Sequence, residues 1–337
     1  MTQIILAFHG GLAVLTQQGD QWRPALHLMG HDCHCLAIDP HSPDRIYCGA
    51  FDAGLWLSED AGATWNPTAG DLPYAEVMAV AVSPLEVHNG VGVLWAGTEP
   101  SALFRSEDGG QSWQERSALQ ELPSKPTWSF PPRPWTHHVR WIEPDPTDAQ
   151  RLFVGIELGG VMRSLDGGLS WEDRKPGSQH DCHTLRAHPS TPGLLYETAG
   201  GGFAETHDGG AAWRGVDAGM KHHYLWGLAV DPGDPQVVVA SASPGPGAAH
   251  NDAYAAAQLY RRAGNEPWQP LTAGLPDPQG TRAYVLAANP VEPGVFYAAT
   301  RMDVYRSADQ GHTWAQLSVP WPENARFSTV NALVVRE

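Results

Sequence analysis

The chain has 337 residues, including 36 glycines, 29 prolines and 14 tryptophans, and its 37 acidic and 21 basic side chains give a formal charge of −16. This acidity argues against a nucleic acid or an anionic membrane as partner, because the surface would repel a polyanion. Abundant turn-forming residues, with only 17% charged side chains, predict many short strands rather than helices.

The first apolar stretch, residues 4 to 8, has no basic residue before it and is too short for a secretion signal or a membrane span. We therefore expect a cytoplasmic protein without membrane contact. The four cysteines show no disulfide spacing and lie mostly within apolar stretches, which suits a reducing compartment.

Apolar strands recur along the whole chain. Residues 4–8 and 12–16 predict two strands of an incomplete first unit. Six later apolar strands each run into a proline turn, and a seventh ends the chain without one; they span 35–40, 77–84, 140–146, 184–189, 226–232, 284–290 and 330–335.

An eight-residue turn of the pattern S/T-x-D-x-G-x-[S/T]-W follows these strands five times. Its aspartates are Asp60, Asp108, Asp166, Asp208 and Asp309. Only the fourth copy departs from the pattern, with Ala212 at the seventh position. Two degraded copies end at Trp22 and Trp268, so seven tryptophans follow one another at intervals of 42 to 58 residues.

Each residue of the pattern has a physical reason. An aspartate can accept hydrogen bonds from the backbone of its own turn, a glycine can adopt a positive φ, and a tryptophan can pack between neighbouring sheets. In these five turns the chain resembles the Asp-box superfamily, the bacterial neuraminidase repeats of the WD40/YVTN/BNR-like group. The resemblance extends over the whole chain.

This resemblance implies an all-β fold: a seven-bladed β-propeller with four antiparallel strands per blade. Residues 1–337 would form a single propeller domain whose C-terminal strand closes the ring beside the N-terminal strands. A six-bladed ring is the alternative. Segments 119–136 and 241–257 are predicted to be loop insertions over one face of the ring.

The superfamily includes sialidases, xyloglucanases, sortilin-type receptors and photosystem II assembly factors, so the turn implies a fold rather than a function. Sialidase activity is disfavoured because the chain lacks the N-terminal F/Y-R-I-P arginine. The xyloglucanase resemblance would imply two propellers where one is encoded, and an assembly role would lead us to expect a lipid anchor or signal.

Histidines crowd where the innermost strands begin, which we name the top face. Eight residues before each proline turn stand His31, Ala75, His137, His180, His223 and Thr281, with Ser328 at the corresponding place in the last strand. The loops between second and third strands reach the same face and add His9, Glu99, Glu157, His250 and Arg301.

Imidazoles that converge on an axis suit a divalent transition metal such as Zn, Mn, Fe or Cu. We therefore predict His31, His137, His180 and His223 as metal ligands and Glu157 and Glu99 as catalytic carboxylates. The predicted substrate-binding residues are His9, His138, His183, His250, Arg282, Arg301 and Trp135. The 119–136 segment, with Trp128, Phe130 and Trp135, is the predicted lid.

Three alternatives remain open. The histidines can be hydrogen-bonded residues inherited by blade duplication, or they can serve anion or proton chemistry without a metal. Arg140, Arg186 and Arg282 can bind a carboxylate or phosphate, or can simply neutralise neighbouring acids.

The favoured function is a metal-dependent hydrolase or lyase that acts on a small polar or saccharide-like substrate, without a nucleotide cofactor. The competing hypothesis is a non-catalytic propeller that serves as an interaction or assembly scaffold. A deep pocket lined by histidines would favour the enzyme, whereas a flat or plugged face would favour the scaffold. The sequence leaves the oligomeric state open.

Overall fold

The computed structural model describes residues 1–323 and 325–337. Its strands form seven antiparallel sheets, the blades of a β-propeller. Each innermost strand contacts the innermost strands of both neighbouring blades, and the last one contacts the first, so the ring closes. The prediction of a seven-bladed all-β propeller is confirmed, and the six-bladed alternative is wrong.

The strands follow one another blade by blade. The first blade contains β1 (Gln3–Phe8), β2 (Gly11–Gln18) and β3 (Gln21–His27). The second contains β4 (Cys33–Ile38), β5 (Ile46–Ala50), β6 (Gly54–Ser58) and β7 (Asn66–Pro67). The third contains β8 (Val77–His88), β9 (Val91–Thr98), β10 (Leu103–Ser106) and β11 (Gln114–Glu115). The fourth contains β12 (Val139–Pro144), β13 (Leu152–Ile156) and β14 (Gly160–Ser164), and a single bridge between Arg163 and Glu172 takes the place of its outer strand.

The remaining blades have the same order from the axis outwards. The fifth contains β15 (Cys182–Ala187), β16 (Leu195–Ala199), β17 (Gly202–Thr206) and β18 (Arg214–Gly215). The sixth contains β19 (Tyr224–Val230), β20 (Val237–Ser243), β21 (Gln258–Ala263) and β22 (Gln269–Pro270). The seventh contains β23 (Val285–Ala288), β24 (Phe296–Thr300), β25 (Asp303–Ser307) and β26 (Ala315–Gln316). The last strand, β27 (Val330–Arg336), returns to the first blade.

Within the described residues, helical structure occurs only at the two predicted insertions, the first helix beginning two residues before the predicted bound of 119. Short 3-10 helices span Ser117–Glu121 and Lys125–Thr127, and the single α-helix of the described chain, α1, spans Pro246–His250. Among the described residues, none of these helices has the length and apolarity needed to cross a bilayer.

The first blade is completed from both ends of the chain. β27 pairs antiparallel with β1, so that Leu6 faces Leu333, and it supplies the innermost strand that the N-terminal segment lacks. This is the predicted closure. The pairing places β1 inside the sheet and gives β27 the innermost position, next to the axis, that one strand holds in every other blade.

The eight-residue turns have the predicted geometry. In the third blade, Asp108 accepts hydrogen bonds through Oδ1 from the backbone N–H groups of Gln111 and Ser112, at 3.0 and 2.9 Å, and through Oδ2 from the Ser112 hydroxyl, at 2.6 Å. The Ser106 hydroxyl donates to Asp108 and accepts the N–H of Gly110. Gly110 has a φ of +93°, which a residue with a Cβ rarely adopts.

We expect Asp108→Ala to lower the free energy of unfolding by about 1 to 2 kcal/mol, because backbone and hydroxyl donors of the turn lose their shared acceptor. Urea titration followed by tryptophan fluorescence measures the change. Asp20→Ala, in a degraded copy of the turn, is the matched control and should change stability by less than about 0.5 kcal/mol. Equal effects of the two substitutions would contradict a structural role for the aspartate.

Candidate functional site

A cavity of about 550 Å³ opens at the top face, around the axis of the propeller. Its size is typical of pockets that hold small ligands. Four structural sources line it: the starts of the innermost strands, the loops between second and third strands, residues 130–133 of one insertion, and helix α1 of the other. The top face therefore carries a pocket and not a flat surface, as the enzyme hypothesis requires.

Recurring β-bulges bring side chains to this cavity. In six of the seven innermost strands of the described chain, the pairing register with the second strand skips a residue near the top. The residues at these bulges are His34, Met78, Arg140, His183, Trp226 with Gly227, and Asn331. Such a bulge turns a side chain away from the regular alternation of the strand. All but His183 and Gly227 line the cavity.

The structure does not bring together the four histidines predicted as metal ligands. His31 contacts Asp52, with Nδ1 3.1 Å from Oδ2, and His137 contacts the Ser101 hydroxyl at 2.8 Å. His180 and His223 are exposed to solvent. All four precede the strands, in loops at the rim, because the chain needs about three further residues to reach the bulge.

A count of five residues back from the proline turn, instead of eight, identifies the bulge positions in the five blades from β4 to β19. This second ring contains two imidazoles, a guanidinium, an indole and a thioether, whereas the first ring offers imidazoles without a guanidinium or an indole. The regular alternation of strands hides it, because alternation predicts that His34 points away from its neighbours Cys33 and Cys35 without showing that a bulge aims it at the axis.

Glu157 occupies the cavity wall at the centre of a chain of charged groups. The Nε2 atom of His138 lies 2.9 Å from Glu157 Oε2, and Nδ1 of the same ring lies 3.4 Å from Glu99 Oε2. Arg133 donates two hydrogen bonds to Glu99. The carboxylates predicted as catalytic are thus joined through one buried imidazole, but Glu157 alone of the two lines the cavity.

These contacts determine the pKa values of Glu157 and His138. Burial by itself would raise the pKa of Glu157, but the hydrogen bond from His138 and the positive charges of the neighbouring groups outweigh it and lower the pKa to about 2. Burial would lower the pKa of His138, yet its bonds to Glu157 and Glu99 raise it. Glu157 is therefore ionised at neutral pH, a state that suits a base or nucleophile rather than an acid.

A second carboxylate and an imidazole face Glu157. Oxygen atoms of Glu157 and Asp181 and a ring nitrogen of His183 lie within 4.8 Å of one another. His183 is completely buried, and its Nδ1 atom is 2.5 Å from the carbonyl oxygen of Leu225, which fixes it as the donor. Its Nε2 atom points at Asp181, 3.5 Å away, without a hydrogen-bond partner among the described residues.

Aromatic rings and arginines form the opposite wall. Trp226 lies against His250, with ring centroids 4.4 Å apart, and the Tyr224 hydroxyl lies 3.2 Å from Nε2 of the same histidine. Burial, the largest influence on His250, lowers its pKa to about 4, so the ring is neutral at pH 7. Arg282 and Arg301 both bind Asp252, which lies with His250 in the insertion of residues 241–257.

The 119–136 insertion covers the cavity only in part. Phe130 and Arg133 line it, with the Phe130 ring 4.7 Å from the ring of His138. Trp128 is buried in the hydrophobic core, and Trp135 is 79% exposed and outside the cavity. His9 is also exposed at the rim, where it pairs with Asp32. Of the predicted substrate-binding residues, His138, His250, Arg282 and Arg301 therefore line the cavity, and Trp135, His9 and His183 do not.

A buried carboxyl group supports the wall from behind. Glu197, on β16, is completely buried and accepts a hydrogen bond from the backbone of Gln179 at 3.0 Å. Its other oxygen has no partner among the described residues. Burial raises the pKa of Glu197 to about 8, so this group is protonated at neutral pH.

No protein-family model matches the chain. The oligoxyloglucan-reducing end-specific xyloglucanase of Emericella nidulans is 23% identical over 375 aligned residues, which cover 93% of this chain and 43% of that protein. The chain spans less than half the length of the curated relatives it matches.

Solved structures show the same fold. A GH74 xyloglucanase from Xanthomonas campestris superposes with a TM-score of 0.69 at 21% identity, over 93% of this chain and 52% of that chain. YCF48 bound to D1 peptide superposes with a TM-score of 0.60 at 17% identity, over 90% of this chain and 92% of that chain. These similarities establish a common propeller architecture.

The raised pKa of Glu197 makes stability depend on pH. Between pH 4.5 and about 8 the carboxyl group is protonated in the folded chain and ionised in the unfolded chain, so the free energy of unfolding falls as the pH rises. Glu197→Gln removes this contribution of the carboxyl group to the pH dependence of stability. We expect the stability of the variant relative to the parent to increase by up to about 1.4 kcal/mol per pH unit in this window.

Urea unfolding at pH 5 and pH 8 tests the prediction. The matched control is Glu205→Gln in the same blade, because Glu205 is ionised and paired with Arg262 and Arg214. This substitution should destabilise the chain at pH 7. A Glu197→Gln variant whose pH profile equals that of the parent would contradict the raised pKa.

Proposed function

We propose that the chain is a hydrolase that acts on a saccharide bound in the top cavity. The observation that carries the proposal is Glu157, an ionised carboxylate in the wall of a deep pocket that faces the carboxylate of Asp181 within 4.8 Å. The similarity to xyloglucanases supports the same class of reaction.

The shape and lining of the cavity suit a sugar. A volume of about 550 Å³ accommodates one or two sugar rings. Trp226, Tyr224 and Phe130 offer aromatic surface for the C–H faces of a pyranose, and the arginines and imidazoles between them offer hydrogen bonds to hydroxyl groups.

Glycoside hydrolysis uses a pair of carboxyl groups, and their separation distinguishes a nucleophile from a water-activating base. Glu157, with its lowered pKa, suits either role, and its close approach to Asp181 resembles the shorter spacing. His138 holds Glu157 in place and favours its ionised form. In this proposal Glu99 is a positioning residue, because it binds His138 and Arg133 instead of facing the cavity.

We further propose that the reaction depends on a divalent transition metal held by Glu157, Asp181 and His183, in which case the two carboxylates would serve as ligands instead of as nucleophile and base. The support is the unpartnered Nε2 atom of His183, which carries its lone pair towards two carboxylates while Nδ1 donates to Leu225. A backbone hydrogen bond on the far nitrogen is the usual arrangement of a ligating histidine. A metal there would lower the pKa of a bound water or polarise a substrate oxygen.

A scaffold remains the second candidate, supported by the similarity to YCF48 bound to D1 peptide over nearly the whole of both chains. Repeat rings offer broad rigid faces to partners. The cavity argues for the enzyme, because a peptide-binding face does not require an ionised carboxylate such as Glu157 in the wall of a pocket.

We expect Glu157→Gln to reduce kcat by at least about 100-fold with little change in KM, because the substitution removes the reacting carboxylate and keeps its shape. The assay is release of reducing ends from a panel of neutral and acidic oligosaccharides. Formation of an unsaturated sugar, measured by ultraviolet absorbance, would identify a lyase instead of a hydrolase.

Glu59→Gln is the control, because Glu59 is an exposed carboxylate in the eight-residue turn of the second blade, outside the cavity. This variant should keep full activity. Asp181→Asn provides a second test if loss of the His138 pair destabilises the first variant. Full activity of both cavity variants, with melting temperatures equal to that of the parent, would contradict this site.

The metal proposal predicts about one equivalent of transition metal per chain after purification without chelator, and a loss of activity on dialysis against chelator that added metal restores. His183→Asn should lower the bound metal by at least about tenfold. The control is His180→Asn, at an exposed histidine of the rim, which should leave the metal content unchanged. Metal-free protein with full activity would overturn metal dependence and leave the saccharide hydrolase standing.

A further inference from the structure

Arg140 differs from the other arginines that line the top cavity. It stands at the bulge of β12, is only 8% exposed, and lines the top cavity. Its guanidinium group makes no hydrogen bond to any described residue, and its Nε atom is completely buried without a partner. An arginine carries five N–H donors, and leaving buried donors unsatisfied costs free energy.

The other arginines of the cavity differ. Arg133 is bonded twice to Glu99. Arg282 binds Asp252, the Ser328 carbonyl and the Thr329 hydroxyl, and Arg301 binds Asp252. Their positions are therefore explained by their own partners. Of these four arginines, only Arg140 has a buried N–H donor without a hydrogen-bond partner among the described residues, and its N–H donors are available to a ligand.

Stacking holds Arg140 in place instead. Its guanidinium carbon lies 4.5 Å from the ring centroid of Trp226, and Nε lies 3.7 Å from Glu157 Oε2. Packing on an aromatic face fixes the plane of a guanidinium and leaves its edge free for bidentate recognition. His34, Arg140, Trp226 and Asn331 also line a narrower cavity of about 340 Å³ below, so they form the floor of the upper one.

The surroundings narrow the choice of anion. Glu157 is close to Arg140, and Asp181 lies within 4.8 Å of Glu157, so a doubly charged phosphate would meet two carboxylates. A carboxylate carries a single charge and matches the two parallel N–H bonds of the guanidinium edge. The Trp226 ring beside it suits the apolar face of a sugar.

We propose that Arg140 binds the carboxylate of an acidic sugar, and that the substrate is a saccharide that contains a uronic acid or a similar acidic unit. This inference rests on the proposed saccharide function for its second half, the sugar. The other part of the inference, that Arg140 binds a carboxylate, is independent of that function and depends on the missing hydrogen-bond partners of the guanidinium group. The carboxylate would place the sugar ring beside Trp226, next to Glu157.

Binding measured without turnover tests the proposal. Glucuronate, galacturonate, glucose, galactose and acetate are titrated into the protein, and binding is followed by calorimetry and by tryptophan fluorescence. Each uronate differs from its neutral sugar only in a carboxylate at the position of a hydroxymethyl group. We expect the uronates to bind at least about tenfold more tightly than the neutral sugars and than acetate.

Arg140→Gln should abolish this preference, and Arg140→Lys should keep part of it, because lysine retains the charge and loses the planar fork. Arg306→Gln, on β25 and away from the cavity, is the matched control and should keep the parent preference. Melting temperatures of all variants show whether the fold survives, and the lysine variant decides the matter if the glutamine variant does not fold.

Equal binding of acidic and neutral sugars, absence of uronate binding, or a preference that survives in Arg140→Gln would each overturn the inference. Acetate that binds as tightly as the uronates would overturn the sugar part. The two proposals also fail separately. Uronate binding without hydrolysis of any saccharide would contradict the enzyme, whereas hydrolysis of neutral oligosaccharides unaffected by Arg140→Gln would contradict the carboxylate site.

Discussion

The pairing of β27 with β1 is the constraint on which the molecule depends. The strands of each blade pack mainly against those of the two neighbouring blades, so no blade can hold the ring together alone, and the cavity exists only when the innermost strands surround a common axis. Side chains of β27 also bind the second blade, because Asn331 donates to the Cys33 carbonyl and Arg336 binds Asp44. Asn331 is at once part of the closure and part of the cavity floor.

The charge of the cavity differs from that of the whole chain. The surface carries most of the excess of acidic groups, whereas the cavity combines carboxylates at close range with arginines and with His138, an imidazole whose pKa is raised by its carboxylate partners. Such alternation places a group of opposite charge near each buried charge, as low polarity demands. The neighbouring groups also determine the pKa of each carboxyl group. His138 and Arg140 keep Glu157 ionised, whereas burial keeps Glu197, which has no cation beside it, protonated.

The sequence predicted the ring and the top face but not the residues that meet at its centre. The turns around Asp60 and its equivalents are local motifs whose residues explain one another, and local motifs are readable without tertiary information. The placement of Glu157 and His250 in the cavity followed from blade topology. His31, His137, His180 and His223 were mistaken for the inner ring because a bulge shifts the register, and bulges depend on the pairing strand as much as on their own.

The bulges have a consequence for how such a chain can change. A residue at a bulge has no partner across the ladder, so its side chain can be exchanged without altering the pairing of its blade. Histidine, methionine, arginine, tryptophan and asparagine already occupy equivalent positions in different blades. In the propeller, different residues therefore determine the fold and the lining of the cavity. The residues of the turns determine the fold, and single residues at the bulges near the axis, which can be exchanged, determine the chemical character of the cavity.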